Sequence, residues 1–424
     1  MAFTLIHALR LVDGTGKPSL ADGAVLVEGD RIAFVGSMAE VLSRCPQPDH
    51  IIDAGDRTLL PGMIDAHVHL TGFWDEPDRH RIATGPEYLA LLSAGAAQDI
   101  LRAGVSAIGD CGAQNGITIP IRDAIAGGHI VGPRIFACGP AITTTAGHGD
   151  YIGISAVANN ADDLRAQVRL WVRNGADFIK IMATGGGTDP ATNRRRAQYS
   201  EAEMKAAVDD AHRLLKRVVV HANGTEGIRN SVRAGADVVA HCNWLGVADG
   251  TIDFDEGIVR RMADQGVMVD LNMGGALRPL IPLEGRIQEW HKPSESPRFR
   301  WDMMVRMEEL GVRVYVTSDA AGRKVATYPA QICELVEKAD VSPLHLIQMA
   351  TQLPAEGMGV GKHLGTLEAG KVADLIAVDG DPTVDVRALT RVALVVQAGR
   401  LAVTDGRIGA PGPLKLPSEL PALL

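Results

Sequence analysis

Features that would point to a membrane or an oxidising compartment are scarce in this sequence of 424 residues. No apolar run approaches the roughly 20 residues that a membrane-spanning helix needs, so we expect no membrane association. The five cysteines are scattered without CxxC spacing, in a chain large enough to fold without disulfides. This pattern predicts free thiols and a location in the reducing cytoplasm.

The chain also has no excess of positive charge. Its formal net charge is -9, and acidic and basic residues are mixed along the chain. Without a basic face the chain is not expected to bind nucleic acid. The one strongly basic run, Arg194–Arg196, is interpreted as a solvent-exposed loop. Residues 1–11 lack a cationic start and a cleavage site, so we interpret them as a strand rather than a signal peptide.

Both ends of the chain carry short alternating apolar segments that are typical of β-strands. Ala24–Gly36 is broken by a Gly-Asp pair, which is a hairpin signal, and Arg391–Arg407 has the same character around an Ala-Gly turn. We therefore predict one small β-sandwich lobe formed by residues 1–58 and residues 361–424. The central segment would be inserted between these two parts.

The central segment, residues 59–360, repeats helix, glycine turn and short apolar strand, which predicts parallel βα units. In one unit, Ser200 and Glu203 form a capping box before a helix that runs to Leu215. We predict an α/β fold class and a distorted TIM (β/α)8 barrel. A dinucleotide-binding sheet is less favoured, because the glycines at 185–187 lack the required spacing. Further helices are predicted over 224–234, 255–265 and 300–310.

Polar residues end the predicted strands of this segment, where the active sites of TIM barrels are assembled. His67 and His69 alternate along one strand, so both can bind a cation on the same face. His221 and His241 end consecutive strands and could bind a second cation. Asp319 ends the last strand, where an unpaired carboxylate is costly to bury. Each histidine alone could instead be a buried residue bonded to the backbone, but the set predicts a metal site.

A lysine interrupts the apolar strand Phe178–Met182. Lys180 could form an ion pair with a neighbouring carboxylate. Alternatively, a lysine amine that is removed from water becomes neutral and can react with carbon dioxide. The resulting carbamate would be an anionic bridge between two cations, and the cations would stabilise the modification.

The chain resembles the amidohydrolase superfamily over nearly its whole length, specifically its imidazolonepropionase-related and prolidase-like dipeptidase branch. The resemblance rests on LPGMIDAHVHL, FIKIMATGGG, HANGTEGI, AGADVVAHCNW, TSDA and GTLEAGKVADLIAVDGDP. It implies two divalent cations, expected to be zinc. By this resemblance His67, His69 and Asp319 would bind one cation, His221 and His241 would bind the other, and Lys180 would bridge them as its carbamate.

The resemblance also implies a hydrolytic mechanism, in which a hydroxide shared by the two cations attacks an amide carbonyl. Asp319 would accept a proton and pass it to the leaving nitrogen, and the loop residue His148 would polarise the carbonyl. A solvated loop histidine is the alternative for His148. A mononuclear deaminase is less favoured, because it would lack Lys180. A non-catalytic dihydropyrimidinase-like assembly protein is less favoured, because all six ligands are present.

The sequence departs from the dipeptidase pattern beside the expected pocket. Asn223 stands where similar dipeptidases often have Tyr or His, and AHCNW replaces EHG. Arg194–Arg196 and Arg323 are the candidate cations for a substrate carboxylate. We expect the substrate to be a dipeptide or an N-acyl amino acid, with a carbamate, a cyclic amide or an amide xenobiotic as the alternative.

Two further predictions concern the surroundings of the barrel mouth. The long loop Leu277–Arg298 is expected to act as a lid. Phe73, Trp74 and Trp244 could shape an apolar pocket, although ordinary packing explains them equally well. Barrels of this type often associate, so we expect a homo-oligomer.

Overall fold

The structure is a computed structural model that describes residues 2–73, 85–187, 192–248, 250–272 and 297–414. Trp74 lies outside the described residues, and so does the predicted lid segment up to position 296. No helix in the described ranges is both long and apolar enough to cross a membrane. The five cysteines are all free thiols, as predicted.

The N-terminal segment is built mainly of β-strands. Its strands are β1 (Phe3–Leu11), β2 (Leu20–Glu28), β3 (Arg31–Ser37), β4 (His50–Asp53) and β5 (Thr58–Pro61), and its one helix is Met38–Arg44. Strands β2 and β3 form the predicted hairpin. Gly29 in its turn has a φ of 62°, a left-handed conformation that glycine adopts without steric cost.

The central segment supplies the parallel strands of the barrel. They are β6 (Met63–His69), β7 (Val105–Asp110), β8 (Arg134–Ala137), β9 (Ala141–Thr143), β10 (Ser155–Val157), β11 (Ile179–Met182), β12 (Val218–Gly224), β13 (Val238–Leu245), β14 (Met268–Asn272), β15 (Val314–Thr317) and β16 (Ala320–Ala321). They pair in the two runs β16-β6-β7-β8 and β10-β9-β11-β12-β13-β14-β15. Their side chains are mostly buried, as expected for a sheet that is covered on both faces.

Two junctions join these runs into a closed barrel. The backbone N–H of Asp177 donates to the carbonyl of Ala137 at 2.8 Å, which connects the end of β8 to the start of β11. The backbone N–H of Asp319 donates to the carbonyl of His67 at 2.9 Å, which connects the end of β15 to β6. The predicted TIM-type barrel is therefore confirmed.

Helices pack around the barrel between successive strands. Ser200 and Glu203 form the predicted capping box, with the Ser200 N–H donating to the Glu203 carboxylate at 2.9 Å. The helix that follows ends at Arg213 rather than Leu215, because Leu215 has a left-handed φ of 58°. The helices of the central segment in the described residues are Pro86–Arg102, Thr118–Ala126, Ala161–Arg173, Glu201–Arg213, Thr225–Ala234, Glu256–Gln265, Pro297–Glu309, Tyr328–Ala339, Pro343–Ala350 and Gln352–Gly357.

The C-terminal strands complete the sheet that the N-terminal strands begin. They are β17 (Leu375–Val378), β18 (Val392–Gln397), β19 (Arg400–Thr404) and β20 (Arg407–Ile408). The order is β20-β19-β18-β17-β5-β1-β2-β3, with β4 paired to β1. Antiparallel pairing of β17 with β5 joins the two ends of the chain. The β lobe predicted from both termini is confirmed, and its strands form one continuous nine-stranded sheet.

A buried ion pair fixes this sheet to the barrel. The guanidinium of Arg134, the first residue of β8, donates to the Asp374 carboxylate at 2.5 and 3.1 Å. Asp374 directly precedes β17 and also accepts from the Ala398 N–H at 2.8 Å. A two-point guanidinium–carboxylate contact fixes orientation as well as distance. The sheet is thus held at the amino ends of the barrel strands, away from the carboxyl ends that carry the predicted site.

Candidate metal and active site

The predicted site residues meet at the carboxyl ends of the barrel strands, around one cavity. All six predicted ligands and His148 line it, so the structure brings together every residue predicted to bind metal or take part in catalysis. The side chains and backbone that line the cavity are His67, His69, His148, Lys180, Met182, Gly187, Arg194, His221, Asn223, His241, Asn243, Asn272, Arg300 and Asp319.

The first ligand group consists of His67, His69 and Asp319. The Nε2 atoms of His67 and His69 lie 3.6 and 3.4 Å from the same oxygen, Oδ1 of Asp319. Candidate ligand atoms of the three residues all lie within 4.8 Å of one another, which suits a single cation. The Nδ1 atom of His69 is 3.2 Å from the carbonyl of Gly112, so the ring presents Nε2 to the centre of the group.

Asp270 orients the other histidine of the first group and was missed in the sequence. Its Oδ2 lies 2.5 Å from Nδ1 of His67, and its other oxygen accepts from the hydroxyl of Thr317. A carboxylate on the outer nitrogen of a histidine fixes the ring and makes its inner nitrogen a stronger ligand. The sequence signal was an acid inside the apolar strand VMVDLN, the same kind of anomaly that drew attention to Lys180.

Lys180 lies on β11 and is 1 % exposed. Its Nζ is 3.4 Å from Nε2 of His67. Within the described part of the chain, it forms no ion pair with a carboxylate, so the alternative that was left open for this lysine gains no support there. Its amine faces the cavity that the histidines line.

The second ligand group consists of His221 and His241, whose ring centroids are 4.3 Å apart. Nε2 of His221 lies 3.1 Å from the carbonyl of Gly185 and 2.9 Å from the amide nitrogen of Asn223, which leaves Nδ1 for a ligand. Nδ1 of His241 contacts the Asn272 amide. Nε2 of His241 is buried and, among the described residues, has no hydrogen-bond partner. Buried polar atoms are seldom left unsatisfied, so this nitrogen fits a bound cation.

The backbone is strained where β13 delivers His241. His241, Cys242 and Trp244 have φ values of 68°, 47° and 52°, a region that residues other than glycine seldom occupy. Such strain is common at functional sites. Trp244 itself packs against Phe254, with ring centroids 5.1 Å apart, and does not line the cavity. Its role, like that of the buried Cys242, is packing.

Burial determines the charge states that the ligand groups present. It lowers the pKa of His67, and the nearby Lys180 lowers that pKa further. Burial also holds the pKa values of His221 and His241 well below the usual range. For Asp319, burial raises the pKa, but the facing histidines outweigh it and hold the pKa well below its usual value. Neutral imidazoles and an ionised carboxylate are the forms that bind divalent cations.

His148 lies in the loop that follows β9, beside the second ligand group. Its ring centroid is 4.3 Å from that of His221, and its backbone N–H donates to the Gln198 side chain at 2.8 Å. The loop around Gly186 packs so closely that a Cβ atom there would lie 2.1 Å from the His148 ring. A side chain at position 186 would therefore displace the His148 ring.

Only some of the arginines that the sequence suggested for a substrate carboxylate lie at the cavity. Arg195 is buried, and its guanidinium donates to the carbonyl of Gly246 at 3.1 Å, so a solvent-exposed role is wrong for it. Arg323 forms an ion pair with Asp99 and does not line the cavity. Arg194 does line the cavity, and so does Arg300, which the sequence did not single out.

Asp65, on the same strand face as His67 and His69, also does not line the cavity. Its carboxyl accepts from the Ser318 hydroxyl at 2.5 Å and from the Ser318 N–H at 3.1 Å. Complete burial raises the pKa of Asp65 to about 8. Asp65 thus joins β6 to the segment that carries Asp319, and is not positioned as a ligand. Phe73 is likewise buried in the core and away from the cavity lining.

Comparison with known proteins agrees with this architecture. The profile of the Amidohydrolase family matches residues 58–402. Ochratoxinase of Aspergillus niger is 28% identical over 420 residues, covering 91% of this chain and 82% of the relative. The crystal structure of A. niger ochratoxinase superposes with a TM-score of 0.83 at 25% identity and covers 100% of both chains.

A second solved structure extends the comparison to peptide hydrolysis. The crystal structure of a Xaa-Pro dipeptidase with bound methionine has a TM-score of 0.78 at 28% identity, over 94% of this chain and 99% of that one. Imidazolonepropionase of Streptomyces coelicolor is 25% identical over 422 residues, covering 92% of this chain and 96% of the relative. The resemblance stated from the motifs is therefore confirmed. The chain belongs to the amidohydrolase family and is a hydrolase that acts on carbon–nitrogen bonds.

Proposed function

We propose that this enzyme is a binuclear metal-dependent amidohydrolase, with two divalent cations that are expected to be zinc. The first ligand group would bind one cation and the second ligand group the other, with Lys180 bridging them as its carbamate. The observation that carries the proposal is the location of Lys180: a fully buried amine that faces the same cavity as five other predicted ligands. Nε2 of His241 is buried with no hydrogen-bond partner among the described residues, which supports the second cation.

When bound, the two cations would supply a hydroxide nucleophile near neutral pH and polarise the carbonyl of the substrate. Asp319 faces both histidines of the first ligand group, where its carboxylate can accept the proton of the attacking water. The same carboxyl would then deliver that proton to the leaving nitrogen. His148 lies beside the second ligand group, where its ring can hydrogen-bond to the carbonyl oxygen.

The proposed substrates are dipeptides or N-acyl amino acids. Similarity to ochratoxinase and to a Xaa-Pro dipeptidase supports an amide or peptide bond as the target. Asn223, which replaces the Tyr or His of similar dipeptidases and touches His221, favours a carbamate, cyclic amide or amide xenobiotic as the second candidate. We also propose a cytoplasmic homo-oligomer, and the five free thiols support this location.

Metal analysis of the purified enzyme tests the binuclear centre. We expect about two equivalents of metal per chain, following the two-metal geometry of related hydrolases. His67→Gln and His241→Gln should each lose about one equivalent, because each removes a ligand of a different cation. His212→Gln is the matched control, since His212 pairs with Asp237 on the outside of the barrel. One equivalent or none in fully active enzyme would overturn the proposal.

A further inference from the structure

We propose that Gln198 is a positioning residue that holds His148 beside the second ligand group. It would do so by fixing the His148 loop, which is residues 144–154 between β9 and β10. The inference rests on the proposed part of His148 in amide hydrolysis. Gln198 is partly buried and does not line the cavity, so its effect on the reaction would be transmitted through His148.

The side chain of Gln198 makes three hydrogen bonds that join the His148 loop to two barrel strands. Its Oε1 accepts from the backbone N–H of His148 at 2.8 Å. Its Nε2 donates to the carbonyl of Met182, the last residue of β11, at 2.7 Å. The same Nε2 donates to the hydroxyl of Thr143, the last residue of β9, at 3.1 Å. The loop is therefore held at His148 itself as well as at its ends.

The partners of Gln198 determine which way its amide points. A backbone N–H can only donate and a backbone carbonyl can only accept. The amide oxygen therefore has to face His148, and the amide nitrogen has to face Met182. A glutamate at this position would be nearly the same size, but it would place an oxygen against the Met182 carbonyl. Glutamine is thus matched to the contact in chemistry as well as in length.

The backbone around Gln198 is itself fixed to the barrel. The Gln198 N–H donates to the carbonyl of Ala183, directly after β11, at 2.8 Å. The next residue, Tyr199, is buried, and its hydroxyl donates to the carbonyl of Ala158, directly after β10, at 2.8 Å. A side chain that extends from a fixed backbone constrains its partner. We therefore infer that Gln198 positions the loop, rather than the loop positioning Gln198.

The His148 loop has a conformation that needs such a constraint. Ala146, Gly149 and Gly153 have left-handed φ values of 55°, 87° and 74°. Glycine permits these turns at two of the three positions, but it also gives an unconstrained loop many other conformations. A hydrogen bond to the backbone of His148 favours the one conformation in which its ring lies 4.3 Å from the ring of His221, measured between centroids.

Hydrogen exchange at the His148 amide tests the contact in the full-length enzyme, with isotopically labelled histidine. Gln198→Leu should raise the exchange rate of this amide by about tenfold or more, because the N–H loses its acceptor. Gln198→Glu is the second variant, and its carboxylate should also raise the rate by opposing the Met182 carbonyl. Gln352→Leu is the matched control, since Gln352 is partly buried and bonds to Glu356 in its own helix. An unchanged rate in both Gln198 variants would overturn the proposal.

A double-variant comparison tests whether the contact matters to the reaction. The substrate is the amide hydrolysed best in a panel of dipeptides and N-acyl amino acids. We expect His148→Ala to lower kcat/KM by about 100-fold and Gln198→Leu by about tenfold, with metal content unchanged in both. In the His148→Ala background, Gln198→Leu should have no further effect, because the residue through which it acts is already missing. Additive losses, or a loss of metal in Gln198→Leu, would overturn the proposal.

Failure of the proposed function would give a different result. If the enzyme hydrolyses no amide of the panel, or if His148→Ala leaves kcat/KM unchanged, the proposed role of His148 in catalysis is wrong. Hydrogen exchange then decides the positioning contact by itself. Faster exchange at His148 in the Gln198 variants supports the contact, and an unchanged rate overturns it.

Discussion

The two ligand groups hold their histidines by different means. In the first group, the outer nitrogen of His67 meets the carboxylate of Asp270 at 2.5 Å, and both histidines face one oxygen of Asp319. In the second group, neutral amides and a backbone carbonyl contact the rings, and His241 has a left-handed φ of 68°. A carboxylate thus holds a histidine of the first group, whereas neutral groups hold the histidines of the second group, one of which lies on a strained strand.

For the two proposed cations, this difference implies unequal binding affinity. A carboxylate partner increases the basicity of a metal-binding imidazole, whereas an amide orients the ring without adding charge. The strained backbone at His241 depends on the surrounding packing for its stability. The geometry of the second ligand group is therefore easier to disturb. We expect the first ligand group to bind its cation more tightly than the second.

Removing Lys180, the proposed shared ligand, should eliminate the difference between the groups. Lys180→Ala is expected to lose both cations and to lower kcat by about 10⁴-fold or more, because the nucleophile depends on them. Short carboxylic acids should restore part of the activity by replacing the carbamate. Lys180→Arg should not be rescued, since a guanidinium stays cationic. Lys205→Ala, at an exposed lysine paired with Asp209, is the control. Full activity of either Lys180 variant would exclude the bridge.

The next largest effect is expected at the carboxylate of the first ligand group. Asp319→Asn removes the proposed proton acceptor and keeps the size of the side chain, so kcat should fall by about 10³-fold with the fold retained. Steady-state kinetics and circular dichroism measure the two outcomes. Asp209→Asn, on the outer surface, should change neither. Near-normal turnover of Asp319→Asn would remove this residue from the mechanism.

A pair of substitutions behind the ligands compares the two groups directly. Asp270→Asn should lower the affinity for the first cation by about 10- to 100-fold, the usual effect of removing a carboxylate partner from a metal-bound histidine. Asn272→Ala should lower the affinity for the second cation by less than about tenfold, because the lost partner is neutral. Competition with chelators of known affinity gives both constants. If Asn272→Ala has the larger effect, the proposed ranking of the two groups is wrong.

The smallest effect is expected from a change that moves His148 and leaves the ligands in place. A Cβ atom on Gly186 would lie 2.1 Å from the His148 ring, so Gly186→Ala should displace it. We expect kcat/KM to fall by about tenfold with metal content unchanged. Gly257→Ala, in the helix Glu256–Gln265, should leave kcat/KM unaltered. A matching loss of metal in Gly186→Ala would place the effect in the second ligand group rather than in His148.

The sequence was sufficient for the elements that depend on local pattern. The helix predicted over 224–234 is Thr225–Ala234, and the one predicted over 255–265 is Glu256–Gln265. The predicted ligands follow the same logic, because parallel strands bring their carboxyl ends to one rim. His67 and Lys180 are 113 residues apart in the chain, yet their placement required only the strand ends and the barrel topology.

What the sequence did not predict depends on side-chain direction and long-range packing. Asp270 and Arg300 carry no spacing signal of their own, because the residues that they contact lie on other strands or strand ends. Arg323 follows Asp319 closely in the chain but turns to Asp99, a partner 224 residues away. The direction of a side chain over such distances is determined by the assembled barrel. Left-handed φ values at His241 and Trp244 likewise have no signal in the residue types themselves.

The pairing of β5 with β17 constrains the order in which the chain can fold during synthesis. β5 ends at Pro61, but its antiparallel partner begins at Leu375, so the edge of β5 stays unpaired until nearly the whole chain has been made. Arg134 likewise cannot form its ion pair with Asp374 until that late residue has been made. Because long-range contacts form late and open strand edges associate readily, nascent or truncated chains are expected to be exposed to aggregation in this interval. The C-terminal strands therefore complete the β lobe, and its attachment to the barrel, only after the barrel strands have been made.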